Sequence, residues 1–183
     1  CAMPSVRLHT ITKNSKIPIR AVKESDLDAL YTLSQDFSDP GEFMPVVISS
    51  QTSFKKEFAE TGFWHNQTGK LIIEDKSSNI VGEAGLFSTS HYLDGRELYY
   101  RIFSGYRGKG YATEALSLLT TLFFTSSNFN RLQAVTIQGN IASEHILKKA
   151  NFIFEGTLRQ ARYFKGELVN LNMYSLLRED FQV

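Results

Sequence analysis

A chain of 183 residues, 42% hydrophobic and 21% charged, can bury one core of ordinary size and leaves little room for a second domain. Its formal net charge of +1 lacks the basic excess of a dedicated nucleic-acid binder, so large polyanions are not expected as the main partner. No stretch approaches the roughly 18 apolar residues of a membrane span, the first residues lack the layout of a signal peptide, and the single cysteine, Cys1, excludes an internal disulfide or cysteine metal site.

The expectation is therefore a soluble cytoplasmic protein. The opening Cys-Ala-Met reads as an expression remnant over residues 1–4 or as the edge of a piece of a longer polypeptide, so the domain is taken as 5–183. Strand-period and helix-period segments alternate along it, which predicts a single α/β (α+β) domain. Arg20 to Val22 ends a short strand; Ser25 is the expected N-cap of a helix carrying Leu27, Leu30, Tyr31 and Ser34 through Asp36. Asp39-Pro40-Gly41 breaks that pattern. A second helix starts near Thr52 or Ser53 and stops at Gly62. Leu71 to Asp75 and Ile80 to Phe87 form a hairpin around the polar turn 76–79, and Glu97 to Phe103 is a further strand.

Next comes Arg107-Gly108-Lys109-Gly110-Tyr111-Ala112, followed by a helix on which Ala115, Leu116, Leu118, Leu119, Leu122 and Phe123 make an apolar stripe ending near Ser127. Leu132 to Gln138 is a strand, Asn140 caps a helix carrying Ile146, Leu147 and Ala150, and Asn151 ends it in the left-handed conformation. Two closing strands are expected at about Phe152 to Thr157 and Leu171 to Leu177.

The glycine loop lies between a strand and a long helix, where backbone N–H groups and the helix dipole favour an anion and Arg107 and Lys109 add full charges. Pyrophosphate is the natural guest. A nucleoside-triphosphate loop needs Ser or Thr after Gly-Lys, but Gly110 follows Lys109; a dinucleotide fingerprint needs a third glycine where Thr113 stands. A plain glycine turn before a helix is the bland alternative.

The pattern Arg-x-x-Gly-x-Ala at Arg107, Gly110 and Ala112 resembles the coenzyme A pyrophosphate loop of the GNAT acetyltransferase superfamily. From Glu97 onward the chain is similar to its Rim-type subfamily, the ribosomal-protein N-terminal acetyltransferases. The matching pieces are Tyr106 to Leu116, Asn130-Arg131, Asn140-x-x-Ser143, Leu147-Lys148-Lys149, Phe152-x-x-Glu155-Gly156-x-x-Arg159, Gly166, Tyr174 and Leu176 to Asp180. Arg20 and Glu24-x-Asp26 add a looser likeness.

The resemblance implies a mostly antiparallel sheet whose strands Glu97 to Phe103 and Leu132 to Gln138 splay apart to admit the pantetheine of acetyl-CoA. It implies cofactor contacts from the strand around Tyr100 and Ile102, from Arg107, Gly108, Lys109, Gly110, Tyr111 and Ala112, and from Asn140 and Ser143. It further implies a general acid at Ser143, whose bland reading is a surface helix serine. Rim-type enzymes often carry a glutamate base where Arg162 stands and an aspartate where Asn170 stands. These departures point to an α-amine acceptor bearing an anionic group, because an α-amine near pKa 8 needs little base. Arg162 as a solvated strand residue is the alternative.

Glu83, Glu97 or His91 could replace the base. Trp64, Phe63, Tyr163 and Phe164 could stack on a nucleotide base, which with Arg162 and Asn170 would suit the family's microcin C self-immunity branch and its aminoacyl-nucleotide toxin, an antibiotic-resistance role. A protein N-terminus and a polyamine are the other acceptor classes, and a CoA-binding scaffold without turnover is the non-enzymatic reading. The histidines lack metal-ligand spacing, so no metal is expected. The oligomeric state, monomer or homodimer, stays open.

Overall fold

A computed structural model describes residues 17–43 and 47–181; Cys1 and the expected start of the domain lie outside them. Strands are β1 (Ile19–Ala21), β2 (Trp64–His65), β3 (Thr68–Glu74), β4 (Ile80–Ser88), β5 (Gly95–Ile102), β6 (Arg131–Ile137), β7 (Ile153–Phe164) and β8 (Glu167–Leu177). Helices are α1 (Leu27–Ser34), α2 (Gln51–Thr61), α3 (Tyr111–Ser126) and α4 (Ile141–Lys149), with short 3-10 turns at Glu24–Asp26 and Arg178–Asp180. The strands form one sheet in the order β1-β3-β4-β5-β6-β8-β7, with β2 added beside β3. No helix among the described residues is long and apolar enough to cross a membrane.

Local chemistry explains the boundaries. Ser50 caps α2 by accepting the N–H of Ser53, and Gly62 ends it at φ 62, so the helix begins one or two residues before the expected start. Ser25 is not a cap: it sits inside the 3-10 turn, where the Asp26 carboxylate accepts the Lys23 N–H instead. Asn140 caps α4 as expected, accepting the Ser143 N–H, and Asn151 adopts φ 63. β2 and β3 are joined by Asn66 and Gln67, both left-handed, a two-residue turn of the kind that matches strand twist.

The largest difference from expectation is β7, which runs on to Phe164 rather than ending at Thr157. It does so through a bulge: Leu158 faces Leu171 and Arg162 faces Val169, so three residues of β7 oppose Asn170 alone. Gln160 sits there at φ 48 and donates its N–H to Asn170 Oδ1 at 2.8 Å. Lys165 and Gly166, both left-handed, then turn the chain into β8.

Each face of the sheet has its own core. On one face Leu71, Ile73, Ala84, Leu86 and Leu98 meet Leu116, Leu119 and Phe123 of α3 and Leu147 of α4. On the other, Ile72 and Phe103 meet Leu27 and Leu30 of α1, Phe54 of α2 and Phe63. Helices thus cover both faces of the sheet.

Candidate active site

β5 and β6 are the only parallel neighbours among the described strands, and they pair over just three residues: Gly95 with Arg131, Arg96 with Leu132, and Glu97 with Gln133. Beyond Glu97 the two strands part. The closed end requires Gly95, because a Cβ there would lie 2.3 Å from the Arg131 carbonyl oxygen. Gln133 donates to Glu97 Oε2 at 2.9 Å, and Arg131 donates to both Gln133 and Glu155, so the vertex is braced by polar bonds.

At the open end the chain enters the glycine loop. Gly108 and Gly110 stand at φ 75 and 85, and Gly110 is the N-cap of α3 with no side-chain cap. The first-turn N–H groups of α3 therefore face outward beside the positive end of the helix dipole. A Cβ on either glycine would meet nothing within 4 Å, so the loop uses glycine for its conformation and leaves open space above it. That combination fits a pyrophosphate. Arg107, in contrast, is already engaged: Nη1 donates to Asp39 Oδ1 at 2.8 Å, Nη2 to the Asp39 carbonyl at 2.7 Å and Nε to the Ile102 carbonyl at 3.2 Å. Asp39 also accepts from Ser104, and these bonds hold its carboxyl below the usual range, that from Arg107 most of all.

Across the opening, the Tyr100 hydroxyl of β5 donates to Ser143 Oγ of α4 at 3.1 Å. Burial pushes the Tyr100 phenol up, against the opposing effect of Ser143. It therefore stays a donor at neutral pH, and the Ser143 hydroxyl keeps its own proton to give.

The opposite face of β4 and β5, toward α1 and α2, carries Glu83, Tyr99 and Arg101. Glu83 is 8% exposed; Lys70 Nζ stands 3.1 Å from its Oε2, yet no hydrogen bond reaches that oxygen. Lys70 also lies over the Phe54 and Phe63 rings. The Tyr99 phenol is pushed well up by burial, then by the nearby charges of Glu83 and Glu57. The segment after α1 bridges this face to its surroundings, through Asp39 to the glycine loop and through the Glu42 carbonyl, which accepts from Lys165 Nζ at 2.7 Å, to the tip of the β7–β8 hairpin.

An acetyltransferase (GNAT) domain model matches residues 16–153. The chain belongs to the GNAT acetyltransferase family. YdaF of Bacillus subtilis (strain 168), named as a candidate ribosomal N-acetyltransferase, is 31% identical over 184 residues, covering 96% of this chain and 98% of the relative. An uncharacterized N-acetyltransferase, p20 of Bacillus licheniformis, is 34% identical over 111 residues, 60% of this chain. The match spans 62%, 64% and 58% of the lengths of p20 and two Bacillus subtilis relatives, YokL and YoaA. Among solved structures, the fold is similar to spermidine N-acetyltransferase from Vibrio cholerae in complex with CoA and spermine, with TM-score 0.76 and 19% identity over 91% of this chain and 98% of that one.

Within this GNAT fold the expected residues fall into groups. Tyr100 and Ile102 lie on β5 beyond the residues that pair with β6, the loop from Arg107 to Ala112 joins β5 to α3, and Asn140 and Ser143 lie at the start of α4, just after β6. Of the candidate bases, Glu97 is bound at the closed vertex, and His91 stands in the β4–β5 loop against Tyr92, at the end of β5 away from the glycine loop. Glu83 alone sits at the level of Tyr100, across from Arg101.

The proposed nucleotide platform is not assembled. Phe63 is 4% exposed and packs on Phe54 and Phe58, and Trp64 packs on the α3-side core, while Tyr163 is 70% exposed on the opposite edge of the sheet. A left-handed Phe63 directly after α2 turns the two aromatics to opposite faces. Arg162 is exposed on β7 opposite Val169. Asn170 is a pin, holding the Gln160 bulge and donating to Gln138 Oε1. Arg20 and Asp26, part of the family likeness, form an ion-pair cluster with Glu74 that ties α1 to the sheet edge.

Sequence reading missed Asp39, Lys70, Tyr99 and Arg101. Strand alternation carried the signal for the last two: if Tyr100 and Ile102 face one side of β5, Tyr99 and Arg101 face the other.

Proposed function

We propose that this chain is an acetyl-CoA-dependent N-acetyltransferase that acts directly on the α-amine of a peptide or small molecule. The observation that carries the reading is the parted β5–β6 seam, with an uncapped helix terminus at its mouth and Tyr100 hydrogen-bonded across it to Ser143. Bound acetyl-CoA supplies an acetyl group activated as a thioester. Gly108, Gly110 and the first turn of α3 would hold its pyrophosphate, and Tyr100, Ile102 and Asn140 would flank the arm that enters the seam.

The residues then divide the proton work. Ser143, oriented by Tyr100, gives a proton to the sulfur as the C–S bond breaks. Glu83 is the base best placed to take the amine proton, and an α-amine asks little of it. The N-acetyltransferase names of the relatives support the reaction class. The half-buried cations Lys70 and Arg101 on the acceptor side weigh against a polyamine, and the separation of Trp64 from Tyr163 weighs against a stacked aminoacyl nucleotide. Free-thiol release from acetyl-CoA, followed with a panel of α-amines, tests the reading. Turnover is expected with at least one α-amine and not with spermidine; silence across the whole panel overturns it.

A further inference from the structure

Arg101 stands apart from every comparable arginine. In Arg20, Arg96, Arg107, Arg131 and Arg178, all three guanidinium nitrogens donate hydrogen bonds within the protein. Among the described residues Arg101 makes one hydrogen bond, from Nη1 to the Ser34 carbonyl at 3.2 Å; its guanidinium lies over the Phe103 ring, and its Nε is buried with no hydrogen-bond partner. The unpartnered Nε–Nη2 edge is the one that takes a carboxylate with two parallel hydrogen bonds. Its cross-strand neighbour Glu83, itself 8% exposed, forms its ion pair with Lys70 at 3.1 Å and not with Arg101. Leaving a buried donor or acceptor unmatched costs about 1–3 kcal/mol, and such a group in a folded protein calls for an explanation.

We propose that Arg101 is the carboxylate-binding residue of the acceptor site, so that the substrate is an α-amine that also carries a carboxylate. The inference rests on the acetyl-transfer reading and names its substrate class. Arg101 is one residue from Tyr100, on the acceptor side of β5 at the open end of the seam. A carboxylate on its Nε–Nη2 edge leaves the amine of the same molecule to reach toward the seam. Lys70 is matched by Glu83 at 3.1 Å, which leaves Arg101 as the cation of this patch without a hydrogen-bonded carboxylate among the described residues.

The test uses amine pairs that differ only in a carboxylate: an α-amino acid against its amide, and a peptide beginning with Asp against one beginning with Asn. The carboxylate member of a pair is expected to show at least about tenfold higher kcat/KM, since a charge-assisted bidentate pair exceeds one ordinary hydrogen bond. In Arg101→Gln that ratio should fall to near unity while the Kd for CoA stays where it was, and Arg101→Lys should restore part of it. Equal loss on both members of a pair, or a ratio that Arg101→Gln leaves intact, overturns the proposal and makes Arg101 a brace for α1.

Binding of the same pairs to the CoA-saturated protein, by calorimetry, keeps the two readings separable. If no amine turns over, the acetyl-transfer reading fails, and a carboxylate preference in binding that depends on Arg101 still supports the site. The absence of any such preference overturns it.

Discussion

Replacing Tyr100 by Phe removes one hydroxyl and little volume, which isolates the hydrogen bond across the seam. In the reading above, Ser143 is the acid and Tyr100 positions it. A positioning bond contributes about 1 kcal/mol net, which corresponds to a loss in kcat of about fivefold to tenfold. Ser143→Ala removes the acid itself and should cost at least about 100-fold. In the double variant the losses should not multiply, because Tyr100 has nothing left to position once the serine hydroxyl is gone. Thiol release at saturating acetyl-CoA measures kcat, and calorimetric titration with CoA separates binding from chemistry. Losses that multiply in the double variant, or a Tyr100→Phe enzyme that loses only CoA affinity, would refute the relay.

Gly110→Ala places a Cβ at φ 85 in open space, so its cost is left-handed backbone strain of about 1–2 kcal/mol. A matching drop in thermal stability, with weaker CoA binding as the N–H groups turn away, is expected from a thermal melt and a titration; unchanged CoA affinity would contradict the nest. The Glu155 carboxyl is held down from 4.5 to about 2, first by the Arg131 hydrogen bonds and then against burial by Ser175. A depressed carboxyl contributes stability that is full above its ordinary pKa and is lost as pH falls from about 4.5 through about 2. With 39% of the Glu155 side chain exposed, solvent screening reduces this to about 1 kcal/mol. Urea unfolding at pH 7 and pH 3 should show wild type losing more stability than Glu155→Gln between the two; parallel losses would contradict the assignment.

Much of the proposed cofactor side was legible because backbone chemistry writes it in short sequence: glycines before an apolar helical stripe, and an asparagine where a cap is needed. The Asn140 and Asn151 conformations and the long α3 followed from those signals alone. The proposed acceptor side was less legible. It depends on long-range pairings such as Lys70 with Glu83 and Asp39 with Arg107, which no local pattern encodes. The extension of β7 was hidden for a related reason: its continuation depends on Asn170, ten residues away, holding the Gln160 bulge. Phe63 and Trp64 misled because adjacency in sequence suggested a shared surface, whereas the backbone at Phe63 turns them to opposite cores.

The brevity of the β5–β6 pairing has a consequence for the domain as a mechanical object. Seven residue pairs join β4 to β5 and seven join β6 to β8, but only three join the two halves of the sheet. The seam is therefore where backbone pairing holds the two halves least, and above the vertex they are joined by the Tyr100–Ser143 bond and by the core that both share beneath α3. On the proposed reading, a ligand lodged there would act as mortar as well as reagent, and each turnover would remove and replace part of what joins the two halves.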